Sequence, residues 1–165
     1  MNEIDTTSKG YFRALNILFL ALLAGQVFFA VIALFINYTQ PIASLDAELQ
    51  QLLLIIAVVV AFVNIAVSTL IFNAKIKKIK NEPRFETKLA GYRSTSIIRY
   101  ALMEMPSLFA AVIFLLSGNF WFLGITAFII LILLFIRPTP DAMAKHLELN
   151  YEEIALLRDG NSDII

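Results

Sequence analysis

The sequence predicts an all-α membrane protein: a four-transmembrane-helix bundle, N-in/C-in, with short cytoplasmic amphipathic helices at the C-terminus. Three observations predict it. The chain is rich in apolar residues, those residues gather into four runs of span length, and Lys and Arg divide unevenly among the segments between the runs. Of 165 residues, 59% are hydrophobic and 16% charged, and mean hydropathy is +0.79. A soluble domain is usually near half apolar and a quarter charged. Crossing a bilayer takes roughly 20 mostly apolar residues at 1.5 Å rise each.

The first run, Phe12–Tyr38, holds one charge, Arg13, at its start. It follows Glu3, Asp5 and Lys9 and is too long for the core of a cleavable signal peptide, so it reads as a retained first span. The segment from Thr39 to Glu48 has Asp46 and Glu48 but no Lys or Arg. The second run, Leu49–Ala74, is free of charge, and a basic loop with Lys75, Lys77, Lys78, Lys80, Arg84, Lys88 and Arg93 follows it. Within that loop Phe85, Leu89 and Tyr92 are spaced four and three apart, which predicts an amphipathic helix from Arg84 to Ser96 leading into the third run. The third run, Ile97–Ser117, contains Arg99 and Glu104.

Only Gly118 and Asn119 separate that run from the fourth, Phe120–Ile136, so the two form an antiparallel helical hairpin. About 17 residues is the lower edge of what spans. Arg137, Lys145 and Arg158 come after it. Lys and Arg in short loops mark the cytoplasmic side. Every segment then agrees on cytoplasmic termini, with the basic loop inside and the acidic loop and tight turn outside. Tyr11 and Phe12 at the inner entrance, and Phe120 and Trp121 at the outer turn, are expected at interfacial depth. Residues 1–138 thus form the transmembrane domain and 139–165 a cytoplasmic amphipathic tail. In that tail Thr139-Pro140-Asp141 is a helix start, and Asn150 followed by Glu153 predicts a second capped start.

Polar residues inside a span need a reason. Gln26, Asn64 and Glu104 each fall near the middle of their spans and, with Arg99, form a candidate intramembrane polar site. Ala57, Ala61, Asn64 and Ser68 share one face of span two, a stripe suited to close helix packing. Ala21, Gly25 and Gln26 suggest a similar seam in span one. Glu104 is the sharpest single residue: a mid-membrane carboxylate either packs as a neutral acid or handles a proton or cation. Arg99 lies five residues earlier, about 140° round the helix, which disfavours a direct intrahelical pair. Pro106 takes a hydrogen bond from the helix and predicts a kink beside Glu104.

Other classes are excluded by what the chain lacks. With 13 basic and 13 acidic residues the formal net charge is zero, which gives no footing for nucleic acid. The absence of cysteine removes disulfides, thiolate metal sites and cysteine nucleophiles. One histidine, His146, predicts packing or surface exposure, not a metal site. No phosphate loop or nucleophile–base pair occurs, so neither an enzyme nor a cofactor is expected.

The stretch Ala101-Leu102-Met103-Glu104-Met105-Pro106-Ser107-Leu108-Phe109-Ala110-Ala111-Val112 resembles the ion-carrying helix of rotary ATP synthase c subunits, and Asn81-Glu82-Pro83-Arg84 faintly resembles their polar loop. The resemblance implies a proton-carrying role for Glu104. It covers only half of one hairpin, and span two has no glycine where that family carries a glycine repeat. As a whole the chain resembles small four-span proteins of bacterial inner membranes. The expected function is a structural or accessory membrane subunit, with the bilayer and a membrane protein or a second copy as partners. The alternative is a proton- or ion-handling bundle built on Glu104.

Overall fold

The structure, a computed structural model, describes residues 7–40 and 45–159. They form six helices: α1 (Ser8–Thr39), α2 (Ala47–Ile79), α3 (Phe85–Ser117), α4 (Phe120–Phe135), α5 (Pro140–Leu147) and α6 (Tyr151–Arg158). No strand occurs among the described residues. Each of the first three helices is long and apolar enough to cross a membrane. The fourth is just as apolar but has only 16 residues. The protein is therefore all-α, with three to four apolar helices of spanning character.

Chain chemistry explains the boundaries. Asn119 caps α4 by accepting a hydrogen bond from the Trp121 amide, a bond that satisfies a donor the helix start would otherwise leave unmet. Gly118, at φ 67°, makes the turn before it. A Cβ at Gly118 would come within 2.9 Å of the Asn37 Oδ1, and the left-handed backbone adds its own cost. Gly118→Ala is expected to lower stability by roughly 1–2 kcal/mol, read as a drop in thermal midpoint. Asn119→Ser keeps a capping oxygen but loses the hydrogen bond that the Asn119 side-chain amide donates to Gln50 Oε1 at 3.1 Å, so its midpoint should fall by the equivalent of about 1 kcal/mol.

Thr139 caps α5, with Pro140 in its first turn. Asn150 and Glu153 form a reciprocal capping box on α6: each side chain accepts a hydrogen bond from the other's amide. The predicted Arg84–Ser96 segment is not a separate helix. It is the first third of α3, with Leu89 and Tyr92 buried. That helix runs through Pro106 without interruption.

The described residues divide into two compact units, and α1, α2 and α3 each contribute to both. Of the described residues, the first unit takes 7–20, 69–99 and 137–159. Its core joins Tyr11, Phe12 and Leu15 to Phe72, Ile76, Leu89 and Tyr92, with Met143, Leu147 and Leu157 from the tail. Tyr11 and Phe12 are core residues at 3% and 8% exposure. The reason is that they share this core with the apolar faces of α5 and α6. The Tyr11 hydroxyl donates to the Leu89 carbonyl at 2.8 Å, and the Ser8 hydroxyl donates to the Leu157 carbonyl.

The second unit takes Ala21–Ser68 and Tyr100–Ile136. Its core holds Ala33, Ala57, Ala110, Ile113, Phe114 and Phe122. Phe122, Thr126, Ile129 and Leu133 form the buried face of α4, at steps of four, three and four. On α2 the small-residue stripe faces inward, with Ala57, Ala61 and Ser68 buried and Asn64 half-buried. The span-one seam is corrected: Ala21 and Gly25 are exposed, and a Cβ on Gly25 would meet nothing within 4 Å. The inward residues of α1 in this unit include Gln26 and Ala33. One residue is 100° of helix rotation, so Gln26 and Gly25 point to different sides.

Candidate functional site

Each mid-helix polar residue has its own environment. Asn64 donates to the carbonyl of Val60, one turn back in its own helix, at 2.9 Å. Gln26 is 1% exposed, and neither its amide oxygen nor its amide nitrogen has a hydrogen-bond partner among the described residues. The Asn37 amide donates to the carbonyls of Phe114 and Leu115 at 3.3 and 3.4 Å. Ala33 shares its core cluster with Ala110. Both pairs keep the same offset, as parallel helices with equal rise do. Stepping back along α1 and α3 from Ala33 and Ala110 to Gln26 brings it level with Met103, next to Glu104.

Glu104 is half-buried and makes no hydrogen bond or ion pair among the described residues. Pro106 beside it is buried. Ser107 is fully buried; its carbonyl accepts from the Thr126 hydroxyl at 3.0 Å, whereas its own hydroxyl has no partner among the described residues. The unit thus places two orphaned polar groups, Gln26 and Ser107, within a turn or so of Glu104 along the helices. Two grooves in this unit, one walled by Val31, Phe35 and Phe114 and the other by Ala61, Phe62 and Phe128, do not include Gln26, Asn64 or Glu104 in their linings.

Arg99 belongs to the other unit. Its guanidinium lies 4.4 Å from the centre of the Phe72 ring, a cation–π contact. The His146 ring meets the same phenyl edge-on at 5.1 Å between centroids, and the Tyr92 hydroxyl lies 3.5 Å from His146 Nδ1. The lone histidine is thus a packing partner in an aromatic cluster. Desolvation pushes its pKa down, and the positive charges of Arg99 and Lys145 push the same way. The neutral imidazole is favoured in the fold. Its contribution is complete above the ordinary histidine value of 6.5 and shrinks as pH falls below it, because the unfolded chain takes up the proton first. The thermal midpoint should fall on acidification through about pH 6.5, and His146→Gln should flatten that part of the profile. Equal profiles for the two proteins would contradict the assignment.

Sequence reasoning missed the ion pair between Lys88 of α3 and Glu153 of α6. Its N–O distance is 2.7 Å, and its side chains are only 11% and 12% exposed. No spacing signal could have found it, since the partners lie 65 positions apart. Among the described residues no group of His, Asp and Glu could hold a metal ion. No protein-family model, curated protein or solved structure matches the chain.

Proposed function

We propose that the chain is an integral protein of the cell inner membrane, with four spans and both termini cytoplasmic, acting as a structural or accessory subunit rather than an enzyme. The observation that carries the membrane placement is the outward apolar surface. In the most apolar stretches of α1 and α2 only 17% of residues are buried. Phe28, Phe35, Phe62, Leu70 and Trp121 are all more than 60% exposed. Isolated exposed apolar residues are ordinary on a protein in water, but helices exposing most of their apolar side chains are not. Hydrocarbon is the solvent that suits them.

The accessory role rests on the chemistry of the polar residues. The Asn64 amide donates within its own helix, and Gln26 is buried at 1% exposure. The partner is another membrane protein or a second copy of the chain. Purification in mild detergent tests this: the reading expects a complex larger than the monomer. A chain that is monomeric in every mild detergent and at every concentration contradicts it.

The second reading is proton or ion handling through Glu104. It is favoured by the two orphaned polar groups, Gln26 and Ser107, near the level of that unpaired carboxylate. In vesicles, this reading expects the wild type to carry a proton flux that Glu104→Gln abolishes. Equal flux in the two proteins, or none in either, removes it together with the c-subunit resemblance.

A further inference from the structure

The first unit contains an open groove of about 610 Å³ along the start of α3, lined by Glu86, Thr87, Ala90, Arg93, Ser94, Ile97 and Ile98, with Tyr11 behind. Its chemistry is graded along the helix. Glu86 comes first, Arg93 two turns later, and Ile97 and Ile98 one turn beyond. Two turns of α-helix span about 10.5 Å. Helical side chains lean toward the N-terminus, and small Ala90 is the lining residue one turn before Arg93 on the way to Glu86. Both charged residues are exposed, yet neither takes part in an ion pair among the described residues. The groove therefore offers an unpaired anion and an unpaired cation in a fixed order, then an apolar floor.

We propose that this groove binds a phosphatidylethanolamine molecule from the cytoplasmic leaflet. The inference rests on the membrane placement above, which puts residues just before Ile97 at headgroup depth and Ile97 at the edge of the hydrocarbon. The groups of that lipid, read inward from water, are ammonium, phosphate, glycerol esters and acyl chain. The groove presents Glu86, Arg93, the Ser94 hydroxyl and the two isoleucines in the same order. A guanidinium suits a phosphate through paired N–H donors. A carboxylate accepts hydrogen bonds from a primary ammonium but not from the trimethylammonium of phosphatidylcholine. Glu86 repels a purely anionic headgroup, so phosphatidylglycerol is disfavoured. Selectivity thus combines an attractive and a repulsive element.

The test uses the full chain, purified in detergent and stripped of lipid, with its thermal midpoint followed on adding phosphatidylethanolamine, phosphatidylcholine or phosphatidylglycerol of matched acyl chains. Phosphatidylethanolamine should raise the midpoint most and half-saturate at the lowest mole fraction. Arg93→Gln should weaken that binding about tenfold, the loss of a charge-assisted contact. Glu86→Gln should move the preference from phosphatidylethanolamine to phosphatidylglycerol. Both positions are exposed, so midpoints without lipid should match the wild type; a variant that melts lower without lipid is replaced by Glu86→Ser or Arg93→Thr. Equal responses to the three lipids, a retained phosphatidylethanolamine preference in Glu86→Gln, or an equal effect from soluble glycerophosphoethanolamine each overturn the proposal. The membrane placement fails differently, with a chain that stays in aqueous solution without detergent and does not float with vesicles.

Discussion

Lys88→Met is expected to destabilise the first unit by about 3 kcal/mol or more, the scale for removing one partner of a buried ion pair. Lys88 and Glu153 meet at 2.7 Å with both side chains nearly out of water. Removing the ammonium leaves the Glu153 carboxylate buried with one compensating bond, from the Asn150 amide at 3.0 Å. The loss should appear first as release of α6, whose other polar ties include the Ser8–Leu157 hydrogen bond and the exposed Arg158–Asp141 pair at 3.3 Å. Limited proteolysis after Arg158 and the thermal midpoint both read it. Lys88→Met with Glu153→Leu should recover most of the loss, because the uncompensated charge is gone; what remains is the capping box, about 1 kcal/mol. A single variant within 0.5 kcal/mol of wild type, about what an exposed pair contributes, would place the pair in solvent.

Gln26→Leu carries the opposite sign. An amide buried without a hydrogen bond costs about 1–3 kcal/mol, and Gln26 has both amide atoms in that condition at 1% exposure. Leucine has similar bulk and no polar atom to desolvate. The variant should raise the thermal midpoint by the equivalent of about 1–2 kcal/mol. If Gln26 instead serves ion handling with Glu104, the substitution removes flux in vesicles while still stabilising the fold. A lower midpoint would mean that the amide has a partner, such as a bound water, that leucine cannot replace. Gain of stability is common where function demanded a locally unfavourable residue, so the vesicle measurement belongs beside the melting curve.

The parts of the fold that could be read from sequence are those governed by local chemistry. The caps at Thr139 and Asn150 and the turn at Gly118 follow from side-chain oxygens and backbone freedom within a few residues. The apolar helices follow from run length alone. The face that each helix buries was legible on α2, where the Ala57–Ser68 stripe points inward, and not on α1, where Ala21 and Gly25 point outward. An all-apolar helix has no polar face to mark its outside, and small residues fit a packing seam and a lipid-facing surface equally well.

The burial of Tyr11 and Phe12 was not legible for a related reason. Their burial depends on the apolar faces of α5 and α6 joining their core, more than a hundred residues away in the chain. The candidate site was legible as depth only. Equal spacing from the span ends put Gln26, Asn64 and Glu104 at one level, but the hydrogen bonding that separates satisfied Asn64 from orphaned Gln26 is set by side-chain packing. Arg99 was weighed as a partner for Glu104, yet its guanidinium stacks on Phe72.

The central claim is four spans with both ends in the cytoplasm, and single-cysteine labelling tests it most directly. The chain has no native cysteine, so each introduced thiol reports alone. Asp46→Cys and Phe120→Cys should react with a membrane-impermeant maleimide added to intact cells. Lys78→Cys and Lys145→Cys should react only after the membrane is opened. Labelling of Lys78→Cys or Lys145→Cys in intact cells, or protection of Asp46→Cys or Phe120→Cys there, would contradict the account.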